Sequence, residues 1–266
     1  MKKNIFEAIK KVKGMEFLGK SVLITGGSRG IGKAAAIAFA AQGAKVAVNF
    51  RKDKQAAAAT IEAMEGDEHF AIKADVSKPK AVEQLFETVH REFGKIDIVV
   101  NNAGIYVDHP IESTNYQDWQ AAWTQTLDVN LLGPANVTFC AAQYMIPQKS
   151  GAIINISSRG AFRGEPNHPA YGASKAGLNA MSQSLAQKLA PYGIFIGVIA
   201  PGFVATDMAQ AILEGEKGPQ IKAQSPFNRV ALPEEVAHCI LFLANEKSTF
   251  TTGCILDING ASYLRS

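Results

Sequence analysis

Apolar, largely β-branched runs recur along the chain at 21–25 (SVLIT), 45–50 (KVAVNF), 69–76 (HFAIKADV), 96–104 (IDIVVNNAG), 151–158 (GAIINISS), 194–202 (IFIGVIAPG) and 254–260 (CILDING). Their apolar positions are continuous rather than alternating, which is the pattern of strands buried on both faces. The stretches between them have helical composition, as in KAAAIAFAAQG, SKPKAVEQLFETVHREFG and LPEEVAHCILFLANE. Proline suits the first turn of a helix, so Ser77 with Pro79 and Leu232 with Pro233 mark starts, and Gly43 and Gly94 mark stops. Strand alternating with helix predicts an α/β fold: a doubly wound, Rossmann-type parallel sheet of about seven strands, with right-handed crossovers and helices on both faces.

No linker, internal repeat or low-complexity tract interrupts this alternation, so residues 15–266 are expected to form a single domain. Residues 209–229, broken by Gly215, Gly218, Pro219 and Pro226, read as an insertion able to move. The one compositional outlier is the basic extension 1–14, in which Ile5, Phe6, Ile9 and Val12 fall at helical spacing among five lysines. A membrane-surface helix would look like this. A short helix docked on the body or frayed in solvent is the preferred reading, because so brief a segment buries little apolar area.

Composition narrows the function. A net charge of +3 with charged residues spread along the chain gives no reason to expect a nucleic-acid partner. No run approaches the roughly 18 apolar residues of a membrane span. Cys140, Cys239 and Cys254 are odd in number and far apart, with neither metal-ligand spacing nor a disulfide framework. They read as buried thiols of a cytoplasmic protein, and no metal site is expected.

In an open parallel sheet, ligands bind beyond the carboxyl ends of the strands, where the winding reverses. The polar and glycine-rich segments fall there: TGGSRGIG (25–32) after the first strand, NNAG after the fourth, ISS after the fifth and APGFVATD after the sixth. Gly26, Gly30 and Gly32 would let backbone amides approach a pyrophosphate at the positive end of the following helix. In PAYGASKAG (169–177), Tyr171 and Lys175 lie four residues apart and so share a helix face, which would set a phenol beside an ammonium.

The spacing T-G-x-x-x-G-x-G, together with Asn101-Asn102-Ala103-Gly104, Asn130, Ser158, Tyr171-x-x-x-Lys175 and Pro201-Gly202, resembles the short-chain dehydrogenase/reductase family in its single-domain form. The likeness runs from about Phe17 to Ala261 and omits the basic extension. The resemblance implies a nicotinamide cofactor, with Gly26, Ser28, Arg29, Gly30, Ile31 and Gly32 in the phosphate turn and Asp75 and Val76 beside the adenine. Asn102, Ala103 and Gly104 would line the cofactor, as would Tyr171, Lys175, Pro201, Gly202, Val204 and Thr206. It implies further that Tyr171 is general acid or base, that Lys175 lowers its pKa and binds the ribose, and that Ser158 polarises the substrate oxygen. Asn130 would hold a water linking the lysine to solvent. Ser157 is a rival to Ser158, which the family spacing of 13 residues before the tyrosine favours. His168 is read as a surface loop residue.

An opposite charge within ~4–6 Å lowers a phenol by about 1 to 3 pK units, so Lys175 is expected to bring Tyr171 toward neutrality. For the cofactor's ribose, the position where an acidic residue would favour NAD holds Phe50, followed by Arg51 and Lys52. Arg51 and Arg29 suit a 2′-phosphate, so NADP(H) is expected, with Asp53 the residue that could instead reach the ribose. The motifs most resemble 3-oxoacyl-acyl-carrier-protein reductases of fatty-acid synthesis, implying an acyl-carrier-bound or small-molecule carbonyl substrate and a homotetramer. Arg159, Arg163, Lys222 and Arg229 are candidates for meeting an acidic carrier. Sugar, polyol and steroid reductases share these catalytic residues, and a non-catalytic NADP-binding regulator is the rival of another class. Enoyl reductases of the superfamily usually space tyrosine and lysine more widely.

Overall fold

The computed structural model describes residues 15–265; the extension 1–14 lies outside the described residues. Seven strands form one sheet in the order β3-β2-β1-β4-β5-β6-β7, every pair parallel. The elements follow in chain order: β1 (Ser21–Thr25), α1 (Gly30–Ala41), β2 (Lys45–Phe50), α2 (Lys54–Glu62), β3 (Phe70–Lys73), α3 (Pro79–Phe93) and β4 (Ile98–Asn101). After them come α4 (Tyr116–Leu127), a π-helical turn (Asp128–Leu132), α5 (Gly133–Gln148), β5 (Gly151–Ile156), the one-turn α6 (Gly160–Arg163) and α7 (Pro169–Leu189). The chain closes with β6 (Ile194–Pro201), α8 (Asp207–Glu214), α9 (Gly218–Lys222), α10 (Pro233–Ala244) and β7 (Ile255–Ile258). This is the α/β Rossmann-type architecture expected from the alternation of apolar runs and helical stretches.

The two faces of the sheet carry separate apolar layers. On one side Ile24, Val48, Val100 and Ile154 meet Ala35 and Phe39 of α1 and Val236 and Ile240 of α10. On the other, Leu23, Val99, Ile153 and Ile196 meet Leu85 and Phe86 of α3, Val137 and Met145 of α5, and Leu189 of α7. β1, β4 and β6 are therefore buried throughout, and polar Ser21, Thr25 and Asn101 stand only at the ends of β1 and β4. The edges differ: β3 alternates between half-buried and exposed residues, and β7 is half-buried along its length. Each has a neighbour on one side only, so the expectation of burial on both faces does not extend to them. Their runs are correspondingly shorter than their apolar sequence, β3 covering four residues of the eight in 69–76.

Winding reverses between β1 and β4, which are neighbours in space and point the same way. Their carboxyl ends open the crevice on which the glycine turn, β4, β5 and β6 converge.

Candidate active site

The crevice is a cavity of about 580 Å³ running from Gly26, Arg29 and Gly30 past Asn102, Ala103 and Gly104 to Ser158, Tyr171 and Lys175, with Pro201, Gly202, Val204 and Thr206 on its far wall. Thirteen of the residues picked out as cofactor contacts or catalytic groups are named in that sweep, and Ile31 lines it as well.

The turn at its floor is built for close approach. Gly26 and Gly30 have positive φ (61° and 50°), which glycine adopts without steric cost. A Cβ on Gly26 would lie 2.9 Å from the Cα of Ala103, and one on Gly30 would lie 2.9 Å from Cγ2 of Thr206. Asn102 holds the turn in place by donating from Nδ2 to the carbonyls of Thr25 (3.1 Å) and Gly26 (2.9 Å). Thr25 Oγ1 in turn accepts from the amides of Asn102 and Ala103. Helix α1 begins here without a side-chain cap and without an acidic residue in its first turn. Its amide dipole therefore points into the cavity unneutralised, an arrangement that suits a pyrophosphate. The residues present thus fit a dinucleotide.

Five predicted contacts lie outside this cavity. Arg51 and Asp75 line a separate open recess with Lys52 and Lys73 at the ends of β2 and β3. Burial acts to raise the Asp75 carboxyl, but hydrogen bonds from Ser77 and the charges of Arg51 and Lys78 hold it below its ordinary value. The Val76 side chain is buried in the core against Gly133. Ser28 faces α2, its carbonyl accepting from Thr60 Oγ1 at 3.1 Å. Gly32 is packed between Asn102 Nδ2 and the Gly26 carbonyl, where a Cβ would meet either at 2.5 Å. Arg29 pairs with Asp53, whose other oxygen caps α2 by accepting from Ala56 N at 2.8 Å. Asp53 is thereby committed to a helix cap.

At the other end, α7 delivers Tyr171 and Lys175 on one face, and the small residues around them explain how. Ala170 is fully buried, a Cβ on Gly172 would lie 3.3 Å from the Gly160 carbonyl, and one on Gly177 would lie 3.1 Å from Leu131. Lys175 Nζ donates to the Ile156 carbonyl at 2.8 Å and stands 5.7 Å from the centre of the Tyr171 ring. Ser158 Oγ accepts from Gly160 N at 3.0 Å, which leaves its own proton to give. Ser157 Oγ instead donates to the Lys175 carbonyl, so it is tied to the backbone of α7. Asn130 sits in the π-helical turn, fully buried. Its Oδ1 accepts from Ile105 N and its Nδ2 donates to Ile105 O, both at 2.9 Å, and Nδ2 also reaches Ser174 Oγ at 3.3 Å. Asn130 Oδ1 and Lys175 Nζ lie 3.4 and 3.7 Å from where a Cβ on Gly104 would be, so both converge behind that glycine.

The electrostatics depart from expectation. Burial pushes the Tyr171 phenol up to about 12; the Ser158 side chain pulls it down and the Glu165 carboxylate raises it further. Burial also pushes the Lys175 ammonium down to about 8. Loss of solvent thus outweighs the attraction between phenol and ammonium, because the lysine's hydrogen bond runs to a carbonyl rather than to the phenol.

Other residues change role. Arg159, a candidate for an acidic carrier, is buried, donating to Ser262 Oγ (2.5 Å) and Gln224 Oε1 (2.6 Å) with its guanidinium over Phe203. Arg229 is held by Glu235 through two 2.7 Å bonds, whereas Arg163 and Lys222 remain exposed. His168 is no loop-surface residue: it precedes α7, stacks on Tyr106 at 3.6 Å and lies 3.4 Å from Asp108. Tyr106 and Glu165 both line the catalytic end of the cavity, and no motif marked either.

A family model described as enoyl-(acyl carrier protein) reductase matches residues 26–261. The 3-oxoacyl-(acyl-carrier-protein) reductase FabG of Staphylococcus epidermidis is 36% identical over 249 residues, 93% of this chain and 100% of that protein. The 3-oxoacyl-(acyl-carrier-protein) reductase of Synechocystis is 39% identical over 245 residues, covering 91% of this chain and 96% of its own. FabG of Escherichia coli is 35% identical over 250 residues, covering 94% and 100%. With these likenesses spanning the sheet, the glycine turn and the Tyr171-Lys175 helix, the chain belongs to the short-chain dehydrogenase/reductase family.

Proposed function

We propose that the protein is an NADPH-dependent 3-oxoacyl thioester reductase, converting the 3-ketone of an acyl-carrier-bound substrate to the alcohol in fatty-acid synthesis. The observation that carries the reaction type is the convergence of a proton-giving Ser158, the Tyr171 phenol and the Lys175 ammonium at one end of a dinucleotide-sized crevice. The names of the relatives supply the substrate class. The family model carries an enoyl reductase description. A ketone is favoured over an enoyl group by the three residues between Tyr171 and Lys175.

A nicotinamide cofactor, when bound, supplies the hydride. Ser158 donates to the carbonyl oxygen as charge grows on it. Tyr171, held up to about 12, is protonated at neutral pH and serves as the general acid that reduction needs. Lys175, down to about 8, is still mainly charged at pH 7 and holds the ribose and the phenol in register. Asn130 fixes Ile105 and hence the wall opposite the phenol. NADP(H) is favoured because Asp53 is engaged as a cap, while Arg51 lies exposed at the end of β2 beside Lys52.

Cytoplasmic location belongs to the same reading, and among the described residues no helix is long and apolar enough to cross a membrane. A homotetramer is supported by exposed Leu132, Phe139, Phe250 and Leu264, and light scattering would give its mass. The deciding experiment assays acetoacetyl thioesters, sugars and cyclic ketones with NADPH and with NADH. Thioester reduction with NADPH is expected. Turnover of sugars or cyclic ketones without any thioester activity would overturn the substrate, and equal use of NADH would overturn the cofactor.

A further inference from the structure

We propose that Glu165, together with Tyr106, is a specificity device that accepts a hydrogen bond from an N–H group on the thioester arm of the substrate and repels an anionic group in the same place. The inference rests on the thioester reading and adds what the substrate must present beside its ketone.

Glu165 lies in the short connection between α6 and α7, just after Gly164, whose φ of 76° turns the chain. The carboxylate leans over Gly160, where a Cβ would lie 2.9 Å from Oε1, so the glycine leaves it room. Tyr106 Oη donates to Glu165 Oε2 at 3.4 Å. The Tyr106 ring packs edge-on against Tyr171, centroids 4.8 Å apart at 86°, and its other side stacks on His168. Carboxylate, second phenol and catalytic phenol thus form one continuous wall of the cavity.

The chemistry of that wall is one-sided. Glu165, when ionised, can only accept, and the proton of Tyr106 is directed at it, so what remains open on both groups are lone pairs. Burial, reinforced by Glu165, holds Tyr106 protonated. The nearby cation, Arg159, gives its terminal nitrogens to Ser262 and Gln224, on the side of the C-terminal segment and the α9 region. Asp108 is directed to His168, on the far side of Tyr106. Glu165 adds negative charge to this wall, and beside burial it raises the Tyr171 phenol. Opposite, Met208 and Ile212 of α8 present apolar surface fit for an acyl chain. A neutral 3-oxo thioester whose arm carries an amide N–H satisfies this wall; a free 3-oxo carboxylate does not.

The test compares three substrates with NADPH: the N-acetylcysteamine thioester of acetoacetate, a matched-length S-alkyl thioester without N–H, and acetoacetate itself. The natural protein is expected to favour the first over the second by about tenfold in kcat/KM, the scale of one hydrogen bond to a charged group, and to disfavour acetoacetate more strongly. Glu165→Leu should bring the two thioesters to parity. Glu165→Gln keeps an acceptor without the charge, so it should retain most of the thioester preference while narrowing the gap to acetoacetate. Equal use of both thioesters by the natural protein would overturn the proposal, as would a Glu165→Gln variant with unchanged rejection of acetoacetate. Turnover of neither thioester would remove the thioester reading and this inference with it.

Discussion

Replacing Lys175 by methionine should abolish reduction and yet stabilise the fold. The side chain is buried and its ammonium is lowered from 10.5 to about 8. At ~1.4 kcal/mol per tenfold change, holding it charged at pH 7 costs the folded state about 3 kcal/mol. Methionine has nearly the same length and no charge to desolvate. Against this stands the Ile156 carbonyl, which loses its 2.8 Å donor; an orphaned buried acceptor costs roughly 1 kcal/mol or somewhat more. The net expectation is a gain of about 2 kcal/mol at pH 7. Its pH dependence identifies the cause. Between about 8 and 10.5 the unfolded chain binds a proton at this lysine that the folded chain does not, so the natural protein gains stability as pH rises through that window. The advantage of the variant is therefore full below pH 8 and closes by about pH 10. Urea unfolding followed by circular dichroism at pH 7, 8, 9 and 10, at fixed protein concentration, measures it. A variant less stable than the natural protein at pH 7, or a gap of constant size across the series, would refute the reasoning.

Tyr171→Phe removes the acid alone, and turnover should fall by about 10² to 10⁴ while NADPH titrated by fluorescence binds within a few-fold of normal; near-normal turnover would eliminate this mechanism. Arg51→Ala should lower kcat/KM for NADPH by about tenfold or more, in line with loss of a charge-assisted phosphate contact, and leave NADH unchanged. Gly30→Ala forces a side chain into a φ of 50° and toward Thr206; calorimetric titration should show cofactor affinity weakened about tenfold, from strain of ~1–2 kcal/mol. Arg159→Met releases Ser262 and Gln224, so limited proteolysis should cut faster within 209–229, and an unchanged cleavage rate would contradict the tether.

The central strands were legible because burial on two faces leaves little room for polar residues: 21–25 and 45–50, apolar but for Ser21, Thr25, Lys45 and Asn49, coincide with β1 and β2. The edge strands were overestimated because buried apolar residues continue past the paired segment, as Ala74 and Val76 do after Lys73 in β3. Helix ends were readable where a single residue decides them; Gly94 takes the left-handed conformation that ends α3. Within the site, the glycine turn and the Tyr171-Lys175 spacing are local, and sequence exposes local patterns. Arg159 was misread because a loop arginine after a strand carries no sign that Ser262, 103 residues later, will cover it. Glu165 and Tyr106 meet across 59 residues, and neither belongs to a periodic pattern. The raised Tyr171 phenol reflects depth of burial, which spacing alone does not encode.

The π-helical turn between α4 and α5 is a segment with one residue more than an ordinary helix would use. Deleting a residue there would let α4 and α5 join as a regular helix with a full set of hydrogen bonds. The deletion would also rotate everything before it by about 100° relative to everything after it, the angle one residue subtends on a helix. Asn130 could then no longer face Ile105 while Ala122 and Thr126 of α4 stayed on the buried face. The surplus residue acts as an angular spacer between the helix surface that packs and the side chain that clamps. Variation in this stretch should accordingly be tolerated in side-chain identity more readily than in length.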